Sequence, residues 1–252
     1  MTGIDISHYQ AKMTDFAAAK NGGVCFSILK ATEGTTISDR SFAAHYAGAT
    51  AAGLPVGAYV FSHATTPDQA KAEAAFALHV IAGRPLPLGI YYDVETDKQM
   101  RLSNAQLQEV VTAFCTAIRA AGYTPGLYGS EYNLWAKISL TMLPADVIRW
   151  VAHYGTRPAI SCDVWQDTDS SIVDGYNGPV DRDVALSQRF ELMVQETPMQ
   201  QPEDDRDVDY VILALQSCMA HDGYWPKNRL DGVKTRDFCD KLLEYAQDVG
   251  RC

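Results

Sequence analysis

The six residues Val24-Cys25-Phe26-Ser27-Ile28-Leu29 decide the fold. Apolar side chains fill both parities of the run, so the strand it forms must be covered on both faces. Strands buried in this way belong to the parallel sheets of α/β proteins, where helices pack against the sheet. Residues 88–94, Leu-Gly-Ile-Tyr-Tyr-Asp-Val, repeat the pattern. Working outward, strand-like runs recur at 3–6, 24–29, 56–61, 88–94, 125–128, 147–152, 162–166 and 180–184. Helical stretches fill the early gaps, at 14–20, 39–52, 67–81 and 104–121. Pro67 suits a first helical turn, and Gly53, Gly83 and Gly122 follow the last periodic residues. Ser103 with Gln106 three residues on is a capping box. Units of βα type, followed by strands with little helix between them, predict an α/β parallel barrel that loses its helices in its second half.

The rest of the chain narrows the possible partners. Of 252 residues, 47% are apolar, enough to bury a sizeable core. Lys and Arg number 21 against 31 Asp and Glu, a net charge of −10 that repels a phosphate backbone and excludes nucleic acid as a partner. No apolar run approaches the roughly 18 residues that span a bilayer. Met1-Thr2 leads straight into the first strand with no signal-like segment, which predicts synthesis in the cytoplasm. Cys25, Cys115 and Cys162 sit among apolar residues and read as buried free thiols. Cys218, His221, Cys239 and Cys252 match no usual zinc spacing, so no metal or other cofactor is expected. A polar stretch with two prolines, residues 195–207, reads as a linker that ends a barrel domain spanning 1–194. Helical spacing of Val208, Val211, Leu215 and Met219, and of Phe238, Leu242 and Tyr245, predicts a small helical module over 208–252.

Acids gather where strands end. Asp93 and Glu95 flank Val94, so in a strand both point to one face. Carboxylates cannot lie unpaired beneath helices; they face the bore, at the C-terminal mouth where barrel active sites form. Asp5 closes the first strand in the same manner, Glu33 follows the second, and Asp181 occupies the last. Carboxylates crowded together cannot all ionise, so one becomes a proton donor near neutral pH. A pair of them some 5 to 9 Å apart is what glycoside hydrolysis uses. Aromatics accompany the acids: Tyr9, Tyr59, Phe61, Tyr91, Tyr128, Trp150, Tyr154 and Trp165, the kind of side chain on which sugar rings stack.

Eight short motifs then occur in one order: Gly3-Ile4-Asp5-Ile6-Ser7-His8-Tyr9-Gln10, Lys30-Ala31-Thr32-Glu33-Gly34, Gly57-Ala58-Tyr59-Val60-Phe61, Asp93-Val94-Glu95, Tyr128-Gly129-Ser130, Trp150-Val151-Ala152-His153-Tyr154, Trp165-Gln166 and Gly178-Pro179-Val180-Asp181. Over about residues 3–190 the chain resembles the family 25 glycoside hydrolases, the Chalaropsis-type lysozymes. The resemblance implies an irregular (β/α)5(β)3 barrel and a muramidase that cleaves the β-1,4 bond after N-acetylmuramic acid in peptidoglycan, of the endolysin kind released at phage or prophage lysis. It gives Glu95 the general acid/base role and Asp93 the stabilisation of the substrate's acetamido group. It gives sugar binding to Asp5 and Asp181, with Glu33, Tyr59, Tyr128, Trp150, Tyr154 and Trp165 as further substrate contacts. Two departures bear on those contacts: Val60 stands where many members carry histidine, and Arg182-Asp183 replaces a neutral residue followed by Asn.

The tail is similar, through Asp207-Val208, Leu215-Gln216, Gly223-Tyr224-Trp225, Asp231-Gly232, Thr235 and Phe238, to a three-helix peptidoglycan-binding module. It either binds the wall or serves packing and oligomerisation. Two other readings of the barrel remain open at this stage: a catalytically silent glycan binder, and a hydrolase holding a metal ion on Asp5, His8, Asp93 and Glu95. Position in a strand does not by itself choose between retaining and inverting chemistry, because Cα atoms at i and i+2 lie about 6.6 Å apart and rotamers do the rest.

Overall fold

Eight strands close on themselves in the computed structural model, which describes residues 1–196 and 241. In chain order they are β1 (Thr2–Ile6), β2 (Val24–Glu33), β4 (Val56–Phe61), β5 (Ile90–Asp93), β6 (Pro125–Ser130), β7 (Ile148–Ala152), β8 (Val164–Ser171) and β9 (Val180–Ala185), with β3 (Ile37–Ser38) as a short hairpin arm on β2. Neighbours run β1-β9-β8-β7-β6-β5-β4-β2, and β1 pairs back onto β2 to complete the barrel. Helices α1 (Phe16–Asn21), α2 (Phe42–Ala51), α3 (Pro67–Ile81), α4 (Asp97–Met100) and α5 (Asn104–Ala120) lie between the early strands, and α6 (Gln188–Glu196) follows the last. The loss of helices after β6 is as the sequence predicts.

The expected all-parallel barrel needs correcting. Pairs from β1–β2 round to β7–β8 are parallel, but β9 is antiparallel to both β8 and β1. A parallel return needs a crossover of a dozen or more residues, and only residues 172–179 separate β8 from β9. The reversal carries the start of β9 to the C-terminal mouth, where Asp181 pairs with Asp5.

β5 is shorter than expected. Gly89 turns the chain at φ 86°, where a side chain would meet the Thr124 carbonyl oxygen at 2.3 Å, so the strand starts only at Ile90. Helix starts follow their caps. Asp15 Oδ1 accepts from the Ala18 amide at 2.9 Å, which fixes α1 after residue 15, and Ser103 with Gln106 forms the predicted capping box of α5.

Helix α6 was not legible in the sequence, which places part of it in the linker. Its Phe190 and Val194 pack into the barrel base with Phe26, Ile28, Tyr91, Ile148 and Val164. Phe190 meets Phe26 edge-on at 5.2 Å. Arg189 holds Asp163 by two bonds, Nε–Oδ1 at 2.8 Å and Nη2–Oδ2 at 2.5 Å. Burial works against the Asp163 charge, but those bonds and the Arg149 amide hold the carboxyl below its ordinary range. Cys115 and Cys162 are buried thiols as expected; Cys25, near the open start of β2, is only half-buried, and all three are free.

The chain divides into two compact units, Met1–Ile81 with Pro85–Gln200 and Ala82–Arg84 with Gln201–Cys252. The linker and helical module expected over 195–252 lie, apart from 195–196 and 241, outside the described residues. No helix among the described residues is long and apolar enough to cross a membrane.

Candidate active site

The barrel's C-terminal mouth holds a cavity of about 480 Å³ lined by Asp5, Glu33, Asp93, Glu95 and Asp181, by Tyr9, Tyr59, Phe61, Tyr128 and Trp150, and by Ser7, Gln10, Lys30 and Gln166. A larger and more open groove, about 750 Å³ between α3 and α5, is mostly apolar and gathers no cluster of titratable groups. Chemistry belongs to the first.

Asp93 ends β5 and Glu95 follows two residues later, both on the cavity side as their spacing predicts. Val94 between them is fully buried. Asp93 is 4% exposed, and its Oδ1 has no hydrogen-bond partner. Burial pushes its proton affinity well up, Glu95 and Glu33 add to this by repulsion, and Lys30 opposes it. Glu95 stands at the exposed lip of the mouth. Its cavity side is nevertheless shielded from solvent, which raises its carboxyl above the usual range; Lys30 pulls it down and Asp181 adds repulsion.

A second acid group forms the opposite wall. Asp5 is buried and opposed by Asp181 across the β1–β9 ladder, with Asp183 one pleat further along β9. Burial first, then the charges of Asp183 and Asp181, drive the Asp5 carboxyl well up. Asp183, fully buried, and Asp181 are raised chiefly by burial as well. Three carboxyls this close cannot all ionise together, and the proton affinity of each is raised by its burial. Asp183 Oδ2 is buried without a hydrogen-bond partner. Asp183 Oδ1 accepts from the Trp150 indole at 2.7 Å and so fixes a cavity wall.

Gln166 joins the two sides. Its Nε2 donates to Asp5 Oδ2 at 2.8 Å, while its Oε1 accepts from the hydroxyls of Tyr128 at 2.8 Å and Tyr154 at 3.3 Å. Tyr154 is thus placed beside the cavity, half in solvent, though it is not among the lining residues. Trp165 is not brought to the cavity either; its indole donates to the His153 carbonyl at 2.7 Å. Glu33 lines the cavity but is already engaged by Lys30 at 2.7 Å and His63 at 3.1 Å, which with its bond to Lys30 foremost hold its carboxyl low.

Sequence reasoning missed Gln166, Asp183 and Lys30 as site residues. The parity argument used for Asp93 and Glu95 applies equally to Asp181 and Asp183 and would have found the latter. His8, weighed as a metal ligand with Asp5, Asp93 and Glu95, is turned to Asp39 at 2.8 Å. Among the described residues no group of His, Cys, Asp or Glu is arranged to hold a metal ion. Of the two departures, Val60 is fully buried and outside the cavity lining, and Arg182 pairs with Asp167 at 2.7 Å.

Carboxyls of raised proton affinity, gathered with aromatics at the mouth of an α/β barrel, are the equipment that glycoside hydrolysis uses. Its sequence matches the profile of the glycosyl hydrolases family 25 over residues 4–176, and the chain belongs to that family. It is 32% identical over 186 residues to the autolytic lysozyme of Clostridium acetobutylicum, a match that covers 73% of this chain and 55% of that protein. This chain thus spans little more than half the length of that relative. It is 40% identical over 194 residues to the N,O-diacetylmuramidase of Chalaropsis sp, covering 69% of this chain and 91% of that one. The crystal structure of the bacterial lysozyme from Streptomyces coelicolor superposes with a TM-score of 0.64 at 25% identity, over 78% of this chain and 98% of that one.

Proposed function

We propose that the chain hydrolyses peptidoglycan, cleaving the β-1,4 bond between N-acetylmuramic acid and N-acetylglucosamine. The observation that carries the reading is the pairing, in one cavity, of Glu95 with a buried Asp93 whose Oδ1 has no partner. Support for the substrate comes from the relatives' names, lysozyme and N,O-diacetylmuramidase.

Glu95, its proton affinity raised, donates a proton to the leaving glycosidic oxygen as the bond to the anomeric carbon breaks. The acetamido carbonyl oxygen of the same sugar attacks that carbon from the opposite face and closes an oxazolinium ring. The open oxygen of Asp93 accepts the acetamido N–H and balances the positive charge that grows there. Water then attacks the anomeric carbon and gives its proton to the Glu95 carboxylate, reopening the acetamide and restoring the starting state. This retaining route is the one that uses Asp93 as it stands. Asp5, Asp181, Tyr59, Tyr128, Trp150 and Tyr154 bind sugar around the pair, and Trp165 acts only through the backbone it holds.

Mass spectrometry of digested, purified walls tests the bond cleaved. Reducing-end muramic acid is expected; reducing-end glucosamine, freed stem peptide or no turnover at all would each refute the reading, the last in favour of a silent glycan binder. Proton NMR of the first-formed anomer tests the stereochemistry, with the β-anomer expected.

The site of action is the bacterial wall, reached after release from the cell that makes the chain. The segment beyond the barrel adds affinity for the wall by raising the local concentration of substrate. A chain ending at Gln200 should keep its rate on soluble glycan fragments and lose rate on intact walls; equal rates on both would assign the segment to oligomerisation instead.

A further inference from the structure

Lys30 is the only Lys or Arg lining the acid-walled cavity among the described residues. It is 8% exposed, and a lysine buried to that degree must be paired. How the chain achieves the pairing is visible in β2. In a regular strand residues i and i+3 point to opposite faces, so Lys30 and Glu33 should diverge. The β2–β4 ladder instead slips at Ala31: Lys30 opposes Tyr59, while Thr32 opposes the next residue, Val60. This one-residue bulge turns Glu33 back onto the Lys30 side, where Nζ and Oε2 stand 2.7 Å apart and both residues line the cavity. The Phe61 ring lies under Nζ at 4.9 Å, and His63 Nε2 holds the other Glu33 oxygen at 3.1 Å. An ammonium is thus clamped at one point of the wall.

We infer that Lys30 is the positioning residue that sets the pH range over which the Asp93–Glu95 pair works, with Glu33 and His63 as its clamp. The inference rests on the roles proposed above for Asp93 and Glu95. The titratable groups that share the cavity with the ammonium are Glu33 of β2, Tyr9 beyond β1, Tyr59 of β4, Asp93 and Glu95 at the end of β5, Tyr128 of β6, Asp5 of β1 and Asp181 of β9, with His63 behind Glu33. Apart from His63, which is tied to Glu33, all are acidic or phenolic, so among the described lining residues Lys30 carries the one positive charge that opposes their mutual repulsion, beside the neutral Gln166 amide on Asp5. Lys30 is the foremost charge acting on Glu95, and it counters the repulsion that Glu95 and Glu33 exert on Asp93. A bell-shaped profile of kcat/KM reports the group that must be ionised on its acid limb and the proton donor on its alkaline limb. Loss of the ammonium raises both affinities and moves the whole bell to higher pH.

The test is the pH profile of kcat/KM on purified walls for the wild type, Lys30→Met, Lys30→Arg and Glu33→Gln, with melting temperature followed in parallel. Lys30→Met is expected to move both limbs up by roughly one pH unit, the size of effect of a nearby opposite charge. Lys30→Arg, which keeps the charge, should leave them near the wild-type positions. Glu33→Gln removes a repelling carboxylate and frees the ammonium, so its acid limb should move the other way, to lower pH. A folded Lys30→Met enzyme with unmoved limbs overturns the inference, as does Lys30→Arg moving as far as Lys30→Met. Should Lys30→Met fail to fold, Glu33→Gln still decides: an acid limb that stays put or rises overturns it. Failure of the catalytic reading itself shows separately, as wild-type turnover in Glu95→Gln.

Discussion

The barrel's two ends are made from the same strands and solve opposite problems. At the base, Phe26, Ile28, Tyr91, Ile148 and Val164 meet Phe190 and Val194 of α6, and two polar groups beside them are matched: Tyr91 donates to the Leu88 carbonyl at 2.7 Å, and Asp163 is held by Arg189. At the mouth, the buried Asp93 Oδ1 lines the cavity without a hydrogen-bond partner, Asp183 Oδ2 behind the wall has none either, and Asp5, Asp93 and Asp183 all bind protons more tightly than free carboxyls. The base is thus built chiefly of apolar packing, while the mouth presents an unpartnered carboxylate oxygen, that of Asp93, which a substrate can meet.

That division can be broken by experiment. Glu95→Gln should have the largest effect, lowering turnover by about 10² to 10⁴-fold, because the amide cannot donate a proton to the leaving oxygen. Its melting temperature should stay near wild type; turnover within a few-fold of wild type would end the catalytic assignment. Asp93→Asn should cost activity by another route, since an amide cannot balance the charge on the oxazolinium, and activity lost together with melting temperature would make Asp93 structural instead. At the other end, Phe190→Ala should cost about 3 to 5 kcal/mol of stability through the cavity it leaves. Measured well below its melting point, that variant should keep kcat within a few-fold, and a loss matching that of Glu95→Gln would show that the two ends are not separable.

The smallest effects concern pH. Asp5, Asp93 and Asp183 have folded-state affinities above their unfolded values, so the stability they contribute is complete below the unfolded range and is lost as pH rises through the folded values. Asp163, Asp146 and Glu33 are held low, and theirs is lost as pH falls through their folded values. Stability should therefore peak in the mildly acidic range, with a higher melting temperature at about pH 5 than at about pH 8. Asp183→Asn keeps an acceptor for the Trp150 indole and removes one charge, so it should narrow that difference; a calorimetric pH series on both proteins would show it.

Much of the mouth was legible because a pleated strand has a period of two. That alone put Asp93 and Glu95 on one face, and an acid at a strand end identified Asp181 even though its strand runs the other way. What resisted reading depends on exceptions to the period or on neutral residues. The bulge at Ala31 carries no signature in Lys-Ala-Thr-Glu, yet it decides that Lys30 and Glu33 meet. Gln166 joins three groups through an uncharged amide, while its aromatic neighbour Trp165 drew attention by residue type and faces elsewhere. Helix α6 hid because it is only nine residues long and its last two, Gln195 and Glu196, open the polar stretch that reads as a linker.

The reversed final strand also sets when the cavity is completed. β1 finds one neighbour, β2, early in synthesis, but its other edge waits for β9, nearly the whole barrel later. The bond from Gln166 to Asp5 spans 161 residues. Contacts so distant in sequence form slowly, because the chain between them must be ordered first. A ribosome-bound chain lacking β9 has no Asp181 and no Asp183 to hold Trp150. The wall of the cavity that Asp181 forms is therefore complete only once β9 has docked against β1.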